Sequence, residues 1–201
     1  MRKLAATLAA LLLAACSKEA PPAPKTQAAP GGKIAFKDAA GKTLVVLKPR
    51  DDGYTLTDGA DQPLGEIKVL EDRVKLKDAK DVEQWKIKRK EYGAEIETSA
   101  GVRLFRFKRD GDGWKLEDAA EKTLAKAKPK ETGFELRDPD GKTIAKLKKR
   151  DGKVALEAED GTRLHDLDGT TEPLAAIGFA LERFSPAERA AIAAYFLRVN
   201  R

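Results

Sequence analysis

The chain holds one cysteine, Cys16, one histidine, His165, and one methionine, Met1. A lone cysteine excludes an intramolecular disulfide, and a lone histidine without cysteine partners cannot build a conventional zinc site. Aromatic residues amount to only 6%, so a core has to be built mainly from aliphatic side chains. No apolar run reaches the roughly 20 residues that a membrane-spanning helix requires. There is no P-loop, no dinucleotide fingerprint and no Ser-His-Asp order. With no acid–base pair or nucleophile converging, the expectation is a protein that is not an enzyme and uses no cofactor or metal. Charged residues reach 36% with a formal charge of +6, yet acids and bases are interleaved. That pattern argues for solubility and against nucleic acid as a partner.

The N-terminus reads in parts. Met1-Arg2-Lys3 is a basic opening, and residues 4–13 are Leu, Ala and one Thr, about half a membrane span and typical of a targeting segment. Leu13-Ala14-Ala15-Cys16 resembles the lipobox at which a bacterial lipoprotein signal is cut before an acylated cysteine. The resemblance implies a signal peptide over residues 1–15, lipid (palmitate-type) attachment at Cys16, and a membrane anchor without a spanning helix. Loss of Arg2 and Lys3 with the signal would lower the charge from +6 to +4. Ser17 in the next position resembles the outer-membrane sorting pattern, so the expected address is the cell envelope, on the periplasmic or outer face of an outer membrane. Residues 16–33 are rich in Pro, Ala and Gly with no apolar period; they read as a tether.

From Ile34 the sequence repeats every twenty residues, seven times without insertion, at Ile34, Tyr54, Val74, Ala94, Trp114, Phe134 and Val154. Each unit opens apolar-x-apolar-x, the alternation of a half-buried strand. Asp38, Asp58, Asp78, Asp118 and Asp138 open the turn that follows, and Gly41, Gly101, Gly141 and Gly161 close it in their repeats, the chemistry of a turn closed by a left-handed residue. One Asp per hairpin is turn capping rather than a calcium loop. A second strand then carries Leu47, Ile67, Ile87, Phe107, Ala127, Leu147 and Leu167. Apolar residues three earlier, such as Leu44 and Leu64, demand a bulge or an extended turn.

Seven hairpins predict an all-β, antiparallel up-and-down meander over residues 34–201, with C-terminal helices. One apolar face has to be covered and two edges removed, which closure into a barrel achieves if something fills it. Residues 174–181 (LAAIGFAL) are apolar all round, the mark of a fully buried helix, so a first helix is expected over 174–184, inside the barrel. Ser185-Pro186-Ala187-Glu188 is a capping box with Pro at the first helical position. It predicts a second helix over 186–199 whose one apolar face, Ile192, Tyr195, Phe196 and Val199, covers a barrel end.

Repeats such as FELRDPDGKTIAKLKKRDG and WKLEDAAEKTLAKAKPKETG resemble the hairpins of the tubby C-terminal-like superfamily, which includes LURP-one-related proteins and phospholipid scramblases. The resemblance covers Ile34 to about Val199. It implies an antiparallel barrel threaded by a hydrophobic C-terminal helix and an association with membrane lipid. Seven hairpins exceed the six expected for that barrel, and no headgroup pocket carries over. A flat single-layer sheet is the alternative architecture.

Lys48, Lys68, Lys88, Lys108, Lys128 and Lys148 recur at one position of six repeats. They form either a cationic belt for an anionic lipid or polysaccharide surface, or a wet face that keeps the strands apart. His165 takes a position held elsewhere by small or aromatic residues, and Trp85, Phe105 and Trp114 supply core bulk. The expected function is a non-enzymatic, membrane-tethered envelope lipoprotein whose barrel binds a lipid or amphiphile, or an envelope protein. A structural surface spacer and an envelope enzyme are the alternatives.

Overall fold

The structure, a computed structural model, describes residues 32–199; Cys16, the signal and most of the tether lie outside the described residues. Fourteen strands follow one another: β1 (Ile34–Asp38), β2 (Thr43–Arg50), β3 (Gly53–Thr57), β4 (Pro63–Val69), β5 (Arg73–Asp78), β6 (Glu83–Lys90) and β7 (Gly93–Thr98), then β8 (Arg103–Asp110), β9 (Gly113–Asp118), β10 (Thr123–Lys130), β11 (Gly133–Arg137), β12 (Thr143–Arg150), β13 (Lys153–Glu157) and β14 (Arg163–Asp168). Each pairs antiparallel with its neighbours in sequence, and β1 pairs with β14 through Phe36 opposite Leu167 and Asp38 opposite His165. The meander is a closed barrel, as the hairpin pattern predicts, and the flat-sheet alternative falls.

The twenty-residue unit folds into one hairpin because its two turns differ. At one rim the Asp side chain closes a turn from within: Asp38 Oδ1 accepts from the N–H of Ala40 at 3.0 Å and of Lys42 at 2.9 Å, and Asp58 does the same for Ala60 and Gln62, both at 2.8 Å. This Asp rim keeps a left-handed residue even where the repeat lacks Gly: Gly141 has φ 89°, and Asp61, Asp81 and Glu121 have 63°, 64° and 67°. The opposite rim has short turns such as that between Arg50 and Gly53. Just beyond each Asp turn the pairing skips one residue, Leu44, Leu64, Gln84, Leu104, Leu124, Ile144 and Leu164 in turn. These are seven bulges, and they account for the three-residue spacing of the apolar positions. Leu64, Leu104, Leu124, Ile144 and Leu164 thereby lean onto the core as a half-buried apolar ring at the Asp rim.

The interior is filled by a helical hairpin. After β14 the chain turns inward as a 3₁₀-helix, Pro173–Ala180, started by Glu172, whose carboxylate accepts from the N–H of Leu174 at 3.1 Å. It lies along β11, β12 and β13, and Phe179 stacks on Phe36 with ring centroids 3.7 Å apart. The chain crosses beneath the Asp rim, where Phe184 meets Trp85 and Phe105 edge-on. It returns as α1 (Pro186–Val199), whose capping box forms: Ser185 N–H donates to Glu188 at 2.7 Å, and Glu188 N–H to Ser185 Oγ at 3.3 Å. α1 packs along the wall of β2, β4, β5 and β6 and against the 3₁₀-helix, where Gly178 leaves its missing Cβ 3.1 Å from Arg189 Cα.

Two expectations are corrected here. The apolar stretch after Pro173 is a buried helix as expected, but it is a 3₁₀-helix that ends at Ala180 rather than reaching 184. The second helix does not cover an end; it runs through the barrel. Ala190 to Phe196 are all buried, Phe196 meets Phe107 and Trp114 edge-on across the lumen, and Arg198 donates to the Glu71 carbonyl at the far rim. The alanines on its other face make it thin enough to be enclosed on every side.

Candidate functional site: a cleft at the Asp rim

A cleft of about 690 Å³ opens where the apolar interior reaches the Asp rim. Its walls come from three sources. The bulges of β10, β12 and β14 supply Leu124, Ile144 and Leu164; the end of the 3₁₀-helix and the crossover beneath the rim supply Phe179, Leu181, Glu182 and Arg183; and α1 supplies Arg189 from its first turns. The bulges matter because these three aliphatic residues are the skipped ones: in an unbroken alternation they would point outward, opposite to their inward neighbours.

The cations here are not equivalent. Arg163 is held by Asp166 at 2.6 Å. Arg189 is half-buried and donates through Nε to the Phe184 carbonyl at 2.7 Å and through Nη2 to the Glu182 carbonyl at 3.3 Å. Its guanidinium carbon lies 5.8 Å from the Phe179 ring centroid. Among the described residues no carboxylate lies within 4 Å of it. Burial lowers its affinity for its proton, with Glu182 and Glu188 working the other way at longer range. Arg183, exposed above the Phe105 ring at 5.9 Å, likewise has no ion-pair partner within 4 Å among the described residues. His165 lines the same cleft. Burial pushes its imidazole below its ordinary value, against a hydrogen bond to the Lys37 backbone, so it is neutral at pH 7, and its buried Nδ1 has no hydrogen-bond partner. The arrangement presents apolar walls and a charged lip, where Arg183 and Arg189 stand with Glu182 among the lining residues.

The recurrent lysines all lie on the outer wall, and their surroundings differ. Lys48 pairs with Asp61 at 2.9 Å, Lys88 with Glu97 at 2.7 Å and Lys148 with Glu157 at 2.6 Å. Lys68 has Asp52 at 3.7 Å and Glu66 at 3.9 Å. Lys108 and Lys128 have no carboxylate within 4 Å among the described residues. Trp85 and Trp114 are buried in the core, and Phe105 is half-buried against it. Asp side chains close turns, and no group of three or more His, Cys, Asp or Glu that could hold a metal occurs among the described residues.

Arg183 and Arg189 are not singled out by the repeat pattern, because they lie after the last repeat. Their signal is modest: two arginines flank the capping box in a segment otherwise apolar on both sides, LERFSPAERA. Comparison with family models, with characterised proteins and with solved structures finds no match to this chain.

Proposed function

We propose that this protein is a non-enzymatic envelope lipoprotein, anchored through Cys16, whose barrel mouth binds an anionic amphiphile. The observation that carries the reading is Arg189: a half-buried guanidinium with no carboxylate within 4 Å among the described residues, set in a cleft whose walls include Leu124, Ile144, Leu164 and Phe179, with Glu182 also in its lining. An acyl chain along Leu124, Ile144 and Leu164 would gain about 25 cal/mol per Å² of apolar surface removed from water, while an acidic headgroup would supply the charge that Arg189 and Arg183 lack. The outer wall suits water rather than hydrocarbon, since its strands present Lys, Arg, Glu and Asp and a charge facing lipid costs about 2–4 kcal/mol at mid-bilayer. The barrel therefore belongs beside the membrane, with the lipid on Cys16 holding it to an outer membrane. The likeness to the tubby-like superfamily supports the lipid reading only through the barrel around a C-terminal helix, and seven hairpins set this chain apart from that six-hairpin pattern.

The filled interior favours a second reading, a structural spacer without a small ligand. A titration with a fluorescent fatty acid and its uncharged alcohol separates the two. The fatty acid is expected to bind, Arg183→Gln and Arg189→Gln each to weaken it by roughly tenfold, and the alcohol to bind poorly. No binding of either probe supports the spacer; equal binding of both removes the arginines from the site. Metabolic labelling with a fatty-acid analogue tests the anchor, and Cys16→Ser is expected to abolish the label.

A further inference from the structure

Because the repeats are identical in length, the register of the barrel lines up outward side chains in slanting rows, one starting at each recurrent lysine, and each row serves as a control for the others. Starting at Lys88 the row reads Lys88, Glu95, Arg106, Glu117. From Lys128 it reads Lys128, Glu135, Lys146, Glu157. Charges alternate, as cross-strand neighbours with Cβ atoms about 5 Å apart should. The row from Lys108 breaks the rule: Lys108 faces Lys115, Lys115 faces Lys126, and Lys126 faces Arg137. Four bases stand in succession across β8, β9, β10 and β11. Lys115 has Glu117 at 2.6 Å and Arg137 has Glu135, but Lys108 and Lys126 have no carboxylate within 4 Å among the described residues. The row from Lys68 is the nearest comparison, with Lys68, Lys75 and Lys86 in succession. There Glu83 bridges Lys75 at 2.8 Å and Lys86 at 3.1 Å.

Like charges directly opposite one another destabilise a sheet, so the Lys108 row costs stability that the neighbouring rows do not. We propose that this row binds a linear polyanion of the polyuronate class, a carbohydrate chain with one carboxylate per sugar, laid across β8 to β11. Strands about 4.8 Å apart place the four cations along about 14 Å, a spacing comparable to one sugar unit of an extended chain. Shape selects a line over a plane. Asp110 and Glu135 flank the row on one side and Glu117 on the other, so a flat anionic bilayer pressed on this wall would meet acids as well as bases. Chemistry selects sugar over single-stranded nucleic acid, because single strands are held by stacking on aromatic side chains. Here Phe105, Phe107, Trp114 and Phe134 are packed on the core. The inference is independent of the cleft at the Asp rim.

The test uses the full chain in mild detergent, titrated with polygalacturonate, neutral dextran, anionic phosphatidylglycerol vesicles and duplex DNA. Polygalacturonate is expected to bind with an affinity that falls with salt, with a log–log slope of about −2 to −3 for four contacts, and dextran not to bind. Lys108→Gln with Lys126→Gln should weaken binding by roughly tenfold or more while leaving the melting temperature unchanged or raised, since repulsion is removed. The matched pair Lys75→Gln with Lys86→Gln should change binding by less than about threefold. Equal losses in the two pairs would reduce the effect to net charge and overturn the proposal. So would no retention of polygalacturonate by the wild-type chain, or vesicles or DNA binding as tightly as polygalacturonate.

Discussion

The hydroxyl of Tyr195, in the last turns of α1, donates a 2.8 Å hydrogen bond to the backbone carbonyl of Gly93, at the start of β7, 102 residues away in the chain. Tyr195 is 2% exposed, so the bond lies in the interior, where it fixes how far α1 slides along the lumen. Tyr195→Phe is expected to lower stability by about 1 kcal/mol, read as a lower denaturant midpoint with an unchanged slope.

The same hydroxyl makes the fold sensitive to alkali. Burial pushes Tyr195 up to about 12, against Arg89, Arg109 and Arg198; burial and the hydrogen bond to Glu95 do the same for Tyr92. The unfolded chain releases these protons near pH 10, so the native state binds them more tightly. Their contribution is complete below pH 10 and is lost as pH rises from there through about 12. Chemical denaturation at pH 9 and pH 11.5 should show the loss, and Tyr195→Phe should lose less over that interval than the wild type.

Two glycines separate torsional strain from steric exclusion. Gly141, at φ 89°, has open space where a methyl group would stand, with nothing within 4 Å, whereas a Cβ on Gly133 would stand 1.9 Å from the Leu147 carbonyl oxygen. Gly141→Ala should therefore cost about 1 kcal/mol from backbone strain alone. Gly133→Ala has to displace backbone in the β11–β12 pairing and should cost several times more. Equal melting temperatures for the two variants would contradict the assignment.

Both interior segments are required to fill the barrel. Ending the chain at Phe184 removes α1 alone and should expose the lumen, giving aggregation or strong binding of a hydrophobic dye. Ile177→Asp puts an unpaired charge beside α1 and should cost about 3 kcal/mol or more. A cooperative melt of the shortened chain at the full-length temperature would show that α1 is dispensable.

Much of this architecture is legible in the sequence because each repeat states it again. The alternation from Ile34 onward, the Asp at the turn and the capping box at Ser185 are local signals, and local physics decides them. The bulge at Leu44 and its equivalents is half legible: the three-residue spacing demands an irregularity, but only pairing with Phe36 shows that Leu44 is the skipped residue. The path of α1 is not legible from its most apolar face. Ile192, Tyr195 and Phe196 suggest a one-sided helix, and only the surrounding wall reveals that Ala190, Ala193 and Ala194 are buried as well. The cleft arginines escape a repeat-based reading since they lie in the one segment that occurs once. The row from Lys108 is written in the sequence, yet it exists only after fourteen strands have been put in register.

The filled lumen also bears on why there are seven hairpins rather than some other number. Nothing inside a twenty-residue unit counts its neighbours; every hairpin offers the same two edges to the next, and rings of several sizes satisfy them equally. Circumference has to be set by something that occurs once. The folded-back pair of Pro173–Ala180 and α1 is that element: its cross-section is the gauge against which the wall closes, with Phe179 on Phe36 at one seam and Phe196 between Phe107 and Trp114 on another side. A chain with one hairpin more would close around a void and one with a hairpin less would be forced open. In this fold the tail, which does not repeat, measures the part that does.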